Sequence, residues 1–127
     1  MLTRLFPYLD PAHISLDLSR RLHLLAADCE RLRRDRDVPA RIFDKAPLLQ
    51  DWIPVLAPEG LHLAGYAVRH PVLGDRRMMT SPLWWADPDG KWVRTLSRFY
   101  RLGPAADARD IPHTFGSSQA ACAEYES

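Results

Sequence analysis

Three groupings of residues in this chain have the types that carry chemistry. They are the set His70, Ser81 and Asp87, the five histidines, and a run of arginines among aromatic residues between Arg69 and Tyr100. The first set has the members of a small hydrolase or transferase: a hydroxyl, a base to take its proton and a carboxylate to orient that base. Ser81, however, lacks the Gly-x-Ser-x-Gly elbow, and Thr80-Ser81-Pro82 within a strand is more simply a hydrogen-bonded bulge. Asp87 and Asp89 are accounted for by a turn, and Cys29 sits on an apolar stripe, a poor setting for a nucleophile. The plain expectation is therefore no catalytic residues.

The histidines (His13, His23, His62, His70 and His113) form no His-x-x-x-His pair, and the two cysteines form no Cys-x-x-Cys. His62 and His70 could share a strand face near Asp75, but the spacing expected of a metal site is missing. The glycines are isolated and none opens a helix as a phosphate-binding loop. Neither a metal nor a cofactor is expected.

The arginine and aromatic run is the richer signal. Trp84, Trp92, Arg94, Arg98 and Tyr100, with Arg69 close by in sequence, combine guanidinium forks with flat rings. Such a mixture suits a protein hot spot, where Trp, Tyr and Arg are enriched. It also suits stacked bases and phosphates. The simplest alternative is a Trp84–Arg94 cation–π pair on a solvated sheet face with no ligand at all.

A hairpin must position these residues. Asp87-Pro88-Asp89-Gly90 has the chemistry of a turn: Pro88 presets φ, the aspartates bond nearby backbone, and Gly90 accepts positive φ. If the turn brackets Asp87 and Lys91, Ala86 lies opposite Trp92, Trp85 opposite Val93, Trp84 opposite Arg94 and Thr80 opposite Arg98. Alternation then puts Met79, Leu83, Trp85, Val93 and Phe99 on a core face. Met78, Thr80, Trp84, Trp92, Arg94, Leu96, Arg98 and Tyr100 fall on the outward face. A one-residue slip would exchange the two.

The rest of the chain reads as support. Asp10-Pro11 suits a helix start, with Ser15 as an alternative cap. Ile14, Leu18, Leu22, Leu25, Cys29 and Leu32 then recur at helical spacing, Cys29 as a small core residue, until Val38-Pro39 ends the helix. A shorter helix follows from Pro39 to Lys45, with another turn around Leu48–Trp52 and a connector from Ile53 to Glu59. Leu61–Arg69 reads as a strand, with Gly65 marking a bulge or a close backbone approach. Arg77–Ala86 reads as another, in which Pro82 belongs at an edge or bulge. The fold class is α+β: an N-terminal amphipathic helix and a short second helix packed on an antiparallel β-meander of at least three strands. Residues 1–103 read as a single domain, helical over 10–52 and β-meander over 60–103, with 104–127 a partly ordered acidic tail.

Composition agrees with a globular chain: 127 residues, 46% hydrophobic, 26% charged, net charge +1. That near-neutral total hides seven Arg or Lys against three Asp between Arg69 and Arg101. A dedicated nucleic-acid binder usually carries a more lopsided basic count. No apolar run approaches a membrane span, and the thiol usage fits a reduced, cytoplasmic compartment.

The segment from Gly65 to Gly103 resembles a family of short bacterial proteins of unknown function. The shared pattern is His70-Pro71, then Thr80-Ser81-Pro82-Leu83, Asp87 in a turn, Trp92, Arg94-Thr95, Ser97-Arg98 and Tyr100-Arg101-Leu102-Gly103. The resemblance covers about a third of the chain. It implies a bacterial, cytoplasmic protein with a mobile-element or phage-derived setting, and no particular activity. Taken together, the residues point to a small non-catalytic binding or regulatory protein whose partner is another protein. Nucleic acid is the alternative partner, and an open sheet edge would allow a homodimer by strand pairing.

Overall fold

The structure is a computed structural model and describes residues 1–107. The described residues divide into two compact units, Met1–Asp37 and a second that begins at Val38.

The first unit is helical. A four-residue helix α1 (Leu2–Leu5) leads through a 3-10 turn into a second 3-10 turn, Pro11–His13, and then the long helix α2 (Leu16–Asp35). Both cap candidates are used. The Asp10 carboxylate accepts the Ala12 N–H at 2.9 Å and opens the turn. Ser15 Oγ accepts the Leu18 N–H at 3.0 Å and opens α2. Arg36, in the left-handed region at φ 56°, closes α2 before Pro39 is reached. Of the apolar stripe, Leu25 is buried, whereas Cys29 is exposed, contrary to its expected core role. The helix surface is laced with i,i+3 and i,i+4 pairs, Asp17–Arg21, Asp28–Arg31 and Glu30–Arg33. The Arg33 guanidinium holds the Glu30 carboxyl below the usual carboxylate range, and Glu30 in turn raises Arg33.

The second unit begins with the short helix α3 (Ala40–Lys45) and continues as six strands. These are β1 (Leu48–Ala57), β2 (Gly60–His70), β3 (Gly74–Met79), β4 (Leu83–Ala86), β5 (Trp92–Thr95) and β6 (Phe99–Leu102). The order across the sheet is β3-β2-β1-β6-β5-β4. Strand pairs β1–β2, β2–β3, β4–β5 and β5–β6 are antiparallel, while β1 and β6 are parallel. Direction therefore flips twice from β1 to β3 and twice from β6 back to β4, so β3 and β4 run in the same sense. They are two halves of one ribbon, broken at Thr80-Ser81-Pro82, that pairs first with β2 and then with β5. Pro82 sits at that break, where no ladder needs its missing N–H. The α+β class stands, with six strands.

Strand β1 replaces the expected helical turn and connector. Its alternation is hidden by a bulge between Gln50 and Ile53, where Asp51 adopts φ 50°. Parallel pairing with β6 involves only Leu48 and Leu49, so at Pro54 the far side of β1 has no continuous ladder to lose. Opposite the bulge lies Gly65. A Cβ there would stand 2.7 Å from the Gln50 carbonyl oxygen and 3.0 Å from Trp52 Cα. The close approach expected at this glycine is therefore present.

Pairing also continues past Gly103. Asp51 N–H donates to the Pro104 carbonyl, Ala106 N–H donates to that of Trp52, and Trp52 bridges Ala105 in parallel. The remainder of the expected tail, residues 108–127, lies outside the described residues. The core gathers Leu49, Leu63, Ala67, Met78, Val93 and Tyr100, with Trp52, Leu73, Leu83 and Leu102 packed against it. Among the described residues no helix is long and apolar enough to cross a membrane.

Candidate functional site

The Asp87–Gly90 turn forms as its residues require. Gly90 N–H donates to the Asp87 carbonyl at 2.9 Å, and the Asp87 carboxylate accepts the N–H groups of Asp89 and Lys91. Gly90 takes φ 77°, which lengthens the loop by one residue. Asp87, rather than Ala86, then faces Trp92: its N–H donates to the Trp92 carbonyl at 2.9 Å. Ala86 consequently pairs with Val93 and Trp85 with Arg94. The register is one residue away from the Asp87–Lys91 bracket, and the aromatic partners of Arg94 change with it.

A second departure follows two residues later. The stretch from Trp92 to Leu102 is not one strand but two, turned tightly at Thr95–Arg98. Thr95 Oγ1 accepts the N–H groups of Ser97 and Arg98 at 3.3 Å, while Thr95 N–H donates to the Arg98 carbonyl at 2.9 Å. This is a threonine-built turn. Side-chain parity cannot be counted through it, so Arg94 and Tyr100 fall on opposite faces.

The expected binding residues separate accordingly. Arg94 is 2% exposed, its guanidinium 5.1 Å from the centre of the Phe99 ring and its Nη1 donating to the Thr95 carbonyl at 2.6 Å. Its cross-strand neighbours are Trp85 and Phe99, not Trp84. Trp92 is buried edge-on against Phe99, with ring centres 5.5 Å apart. Tyr100 is fully buried in the core opposite Val93. An outward platform containing these three is corrected by their burial: the arginine–aromatic stack exists, but it is internal.

Arg98 is half-buried at the threonine turn. Arg69 is exposed at the end of β2, in the left-handed region at φ 63°, with its N–H received by Asp75 Oδ1 at 2.7 Å. Trp84 also faces outward. The register of β4 against β5 shifts between Leu83 and Trp85, which leaves Trp84 bulged and 54% exposed, tilted against Trp85 at 6.0 Å.

The polar residues that suggested chemistry are engaged in holding the sheet. His70 is 3% exposed. Its Nδ1 accepts the N–H groups of Val72 and Leu73 at 3.0 and 2.9 Å, which places the proton on Nε2, 3.0 Å from Tyr100 Oη. His70 is thus aimed at Tyr100 rather than Ser81. Buried His62 lies at the break in the β3–β4 ribbon, Nδ1 2.7 Å from the Thr80 carbonyl and Nε2 3.0 Å from Glu59 Oε1. Thr80 completes that joint. Its Oγ1 accepts the Leu63 N–H and its own N–H donates to the Leu63 carbonyl. Arg101 Nε donates to the Ala46 carbonyl at 2.8 Å and ties β6 to the end of α3. Among the described residues no three His, Cys, Asp or Glu side chains gather as a metal ligand set.

His70, Thr80, Asp87, Thr95, Tyr100 and Arg101 therefore all have structural duties. No match to the chain was found among curated proteins or among solved structures. The model of one protein family, a family of unknown function designated DUF6634, matches residues 35–121, which takes in the whole six-stranded sheet. The chain belongs to that family.

Proposed function

We propose that this chain is a small non-catalytic binding or regulatory protein that docks a protein partner through its sheet surface, with Trp84 as the anchor. The observation that carries this reading is the Trp84 bulge. A large indole is held 54% exposed on a strand whose neighbours are buried or half-buried. Bulges re-aim side chains, and tryptophan is the residue type most enriched among interface hot spots. Contact with Trp85 restrains the ring, so less conformational freedom is lost when a partner covers it. Leu56 and Leu61, cross-strand partners near the β1–β2 turn, are exposed as well and extend the apolar surface of this unit. The internal commitments of His70, His62, Arg94 and Tyr100 favour binding over catalysis.

The test is Trp84→Ala in a pull-down beside wild type, with and without nuclease. Removing an anchor of this kind costs about 2 kcal/mol or more, a loss of about thirtyfold in affinity. Stability should stay within about 0.5 kcal/mol of wild type, because the side chain is exposed. A partner retained equally by Trp84→Ala refutes the anchor. A partner released by nuclease transfers the reading to nucleic acid.

A further inference from the structure

Strand β3 stands at the end of the sheet order and pairs with β2 alone. Its backbone alternation is fixed by one bond. Thr80 N–H donates to the Leu63 carbonyl at 2.8 Å, so Leu63 and Thr80 are a hydrogen-bonded pair of the antiparallel ladder. Counting along the register, Gly65–Met78 and Ala67–Arg76 are bonded pairs, while Ala64–Met79 and Tyr66–Arg77 are the non-bonded pairs between them. The N–H and C=O groups of Arg77 and Met79 therefore point away from β2, toward the open side of the strand.

The side chains around that open side are cationic. Arg77 shares a face with its partner Tyr66, which is 40% exposed, and Arg69 is exposed at the head of the same hairpin. Neither Arg69 nor Arg77 forms an ion pair with another described residue. The nearby acid, Asp75, has one carboxylate oxygen occupied by the Arg69 N–H. An edge strand with outward backbone groups is a template for strand addition unless its charges oppose the incomer.

We propose that β3 is a docking edge for an extended acidic segment of a protein partner, which adds as a further strand bonded to Arg77 and Met79. Charge selects the occupant. A second copy pairing β3 with β3 about Arg77 would set arginine against arginine, a destabilising cross-strand pair. A segment with carboxylates at alternate positions instead meets Arg77 on one face. Arg77 and Trp84 lie on the two halves of one ribbon, β3 and β4, on either side of the Thr80-Ser81-Pro82 break, so the two readings are separated by substituting each residue alone.

The probe is a pool of short end-capped peptides with Asp or Glu at alternate positions and Val, Ile or Thr between. The comparison is a pool with Lys in place of the acids. Wild type should bind the acidic pool and not the lysine pool. Arg77→Thr keeps the backbone N–H and loses the charge, and should weaken binding about threefold. Arg77→Pro also removes an outward N–H that β2 does not use, so the ladder survives while binding falls about thirtyfold or more.

Equal binding by the Thr and Pro variants overturns strand addition, as does equal binding of the two pools or none of either. Loss of binding in Trp84→Ala assigns the site to Trp84 and also overturns it. Dimerisation of the free protein through β3 overturns the choice of occupant. Should Arg77→Pro fail to fold, amide exchange in wild type decides: the acidic pool must slow exchange at Arg77 and Met79, and unchanged rates there reject the proposal.

Discussion

Replacing Gly65 with alanine probes the joint on which the two halves of the β1–β2 pair depend. The added methyl would sit 2.7 Å from the Gln50 carbonyl oxygen, 3.0 Å from Trp52 Cα and 3.1 Å from Trp52 Cβ. The first two atoms are backbone, fixed by the bulge and by the bonds from Asp51 to Pro104 and from Ala106 to Trp52. They cannot swing aside as a side-chain tip would. Overpacking of this kind costs about 1–3 kcal/mol. Against it stands the lower entropy of the unfolded chain, about 0.4–1 kcal/mol in favour of alanine. The net loss is about 1–2 kcal/mol, a fall in Tm of about 5–15 °C for a unit of this size. Gly103→Ala is the matched comparison. Its methyl would meet Gln50 Cγ at 3.2 Å, part of a flexible side chain, and the change should stay within about 0.5 kcal/mol. Urea melts followed by tryptophan fluorescence read both. If Gly65→Ala melts with Gly103→Ala, the β1 bulge does not press on β2 and the placement of β1 is refuted.

Two further predictions concern the buried polar groups. Tyr100→Phe removes the oxygen that faces His70 Nε2 in the core and should destabilise the protein by about 1–3 kcal/mol in the same melts, with the His70 ring nitrogens still showing Nδ1 as the acceptor by NMR. A shift of the ring proton to Nδ1 would contradict the two bonds from Val72 and Leu73. Arg94→Ala removes the contact with Phe99 and the bond to the Thr95 carbonyl and should cost about 2–3 kcal/mol of stability, so any loss of binding in that variant reports unfolding. Wild-type stability in Arg94→Ala would return Arg94 to the surface.

Much of the local structure was legible in the residues. Helix α2 follows from the repeated leucines and the Ser15 cap, the β4–β5 turn from Asp87-Pro88-Asp89-Gly90, and the break in the β3–β4 ribbon from Pro82. Strand β1 was not legible, because the bulge at Asp51 erases its alternation and Pro54 argues against a strand. Its ladder with β2 and its parallel pairing with β6 are long-range facts that no window of sequence contains. The surface positions of Trp84 and Arg69 follow from the sequence, but alternation counted through two turns places Trp92, Arg94 and Tyr100 beside them, where the structure buries all three. Both faces of β5 are buried, Trp92 and Arg94 against Phe99 on one side and Val93 with Tyr100 in the core on the other, so alternation alone cannot put any of them on the surface.

The sequence by itself determined which residues turn the chain and which segments are amphipathic, because those preferences act through neighbouring dihedrals and side-chain periodicity. Only the tertiary structure decided which side of each strand meets water. That choice depends on register, and register is set by bulges and cross-strand pairing whose energy comes from residues far apart in the chain. A guanidinium between two aromatic rings has the same local sequence whether it waits for a partner or is sealed within the fold. In Arg94 the ladder partners Trp85 and Phe99 settled it, with the Phe99 ring beneath the guanidinium, while the neighbouring bulge turned Trp84 outward.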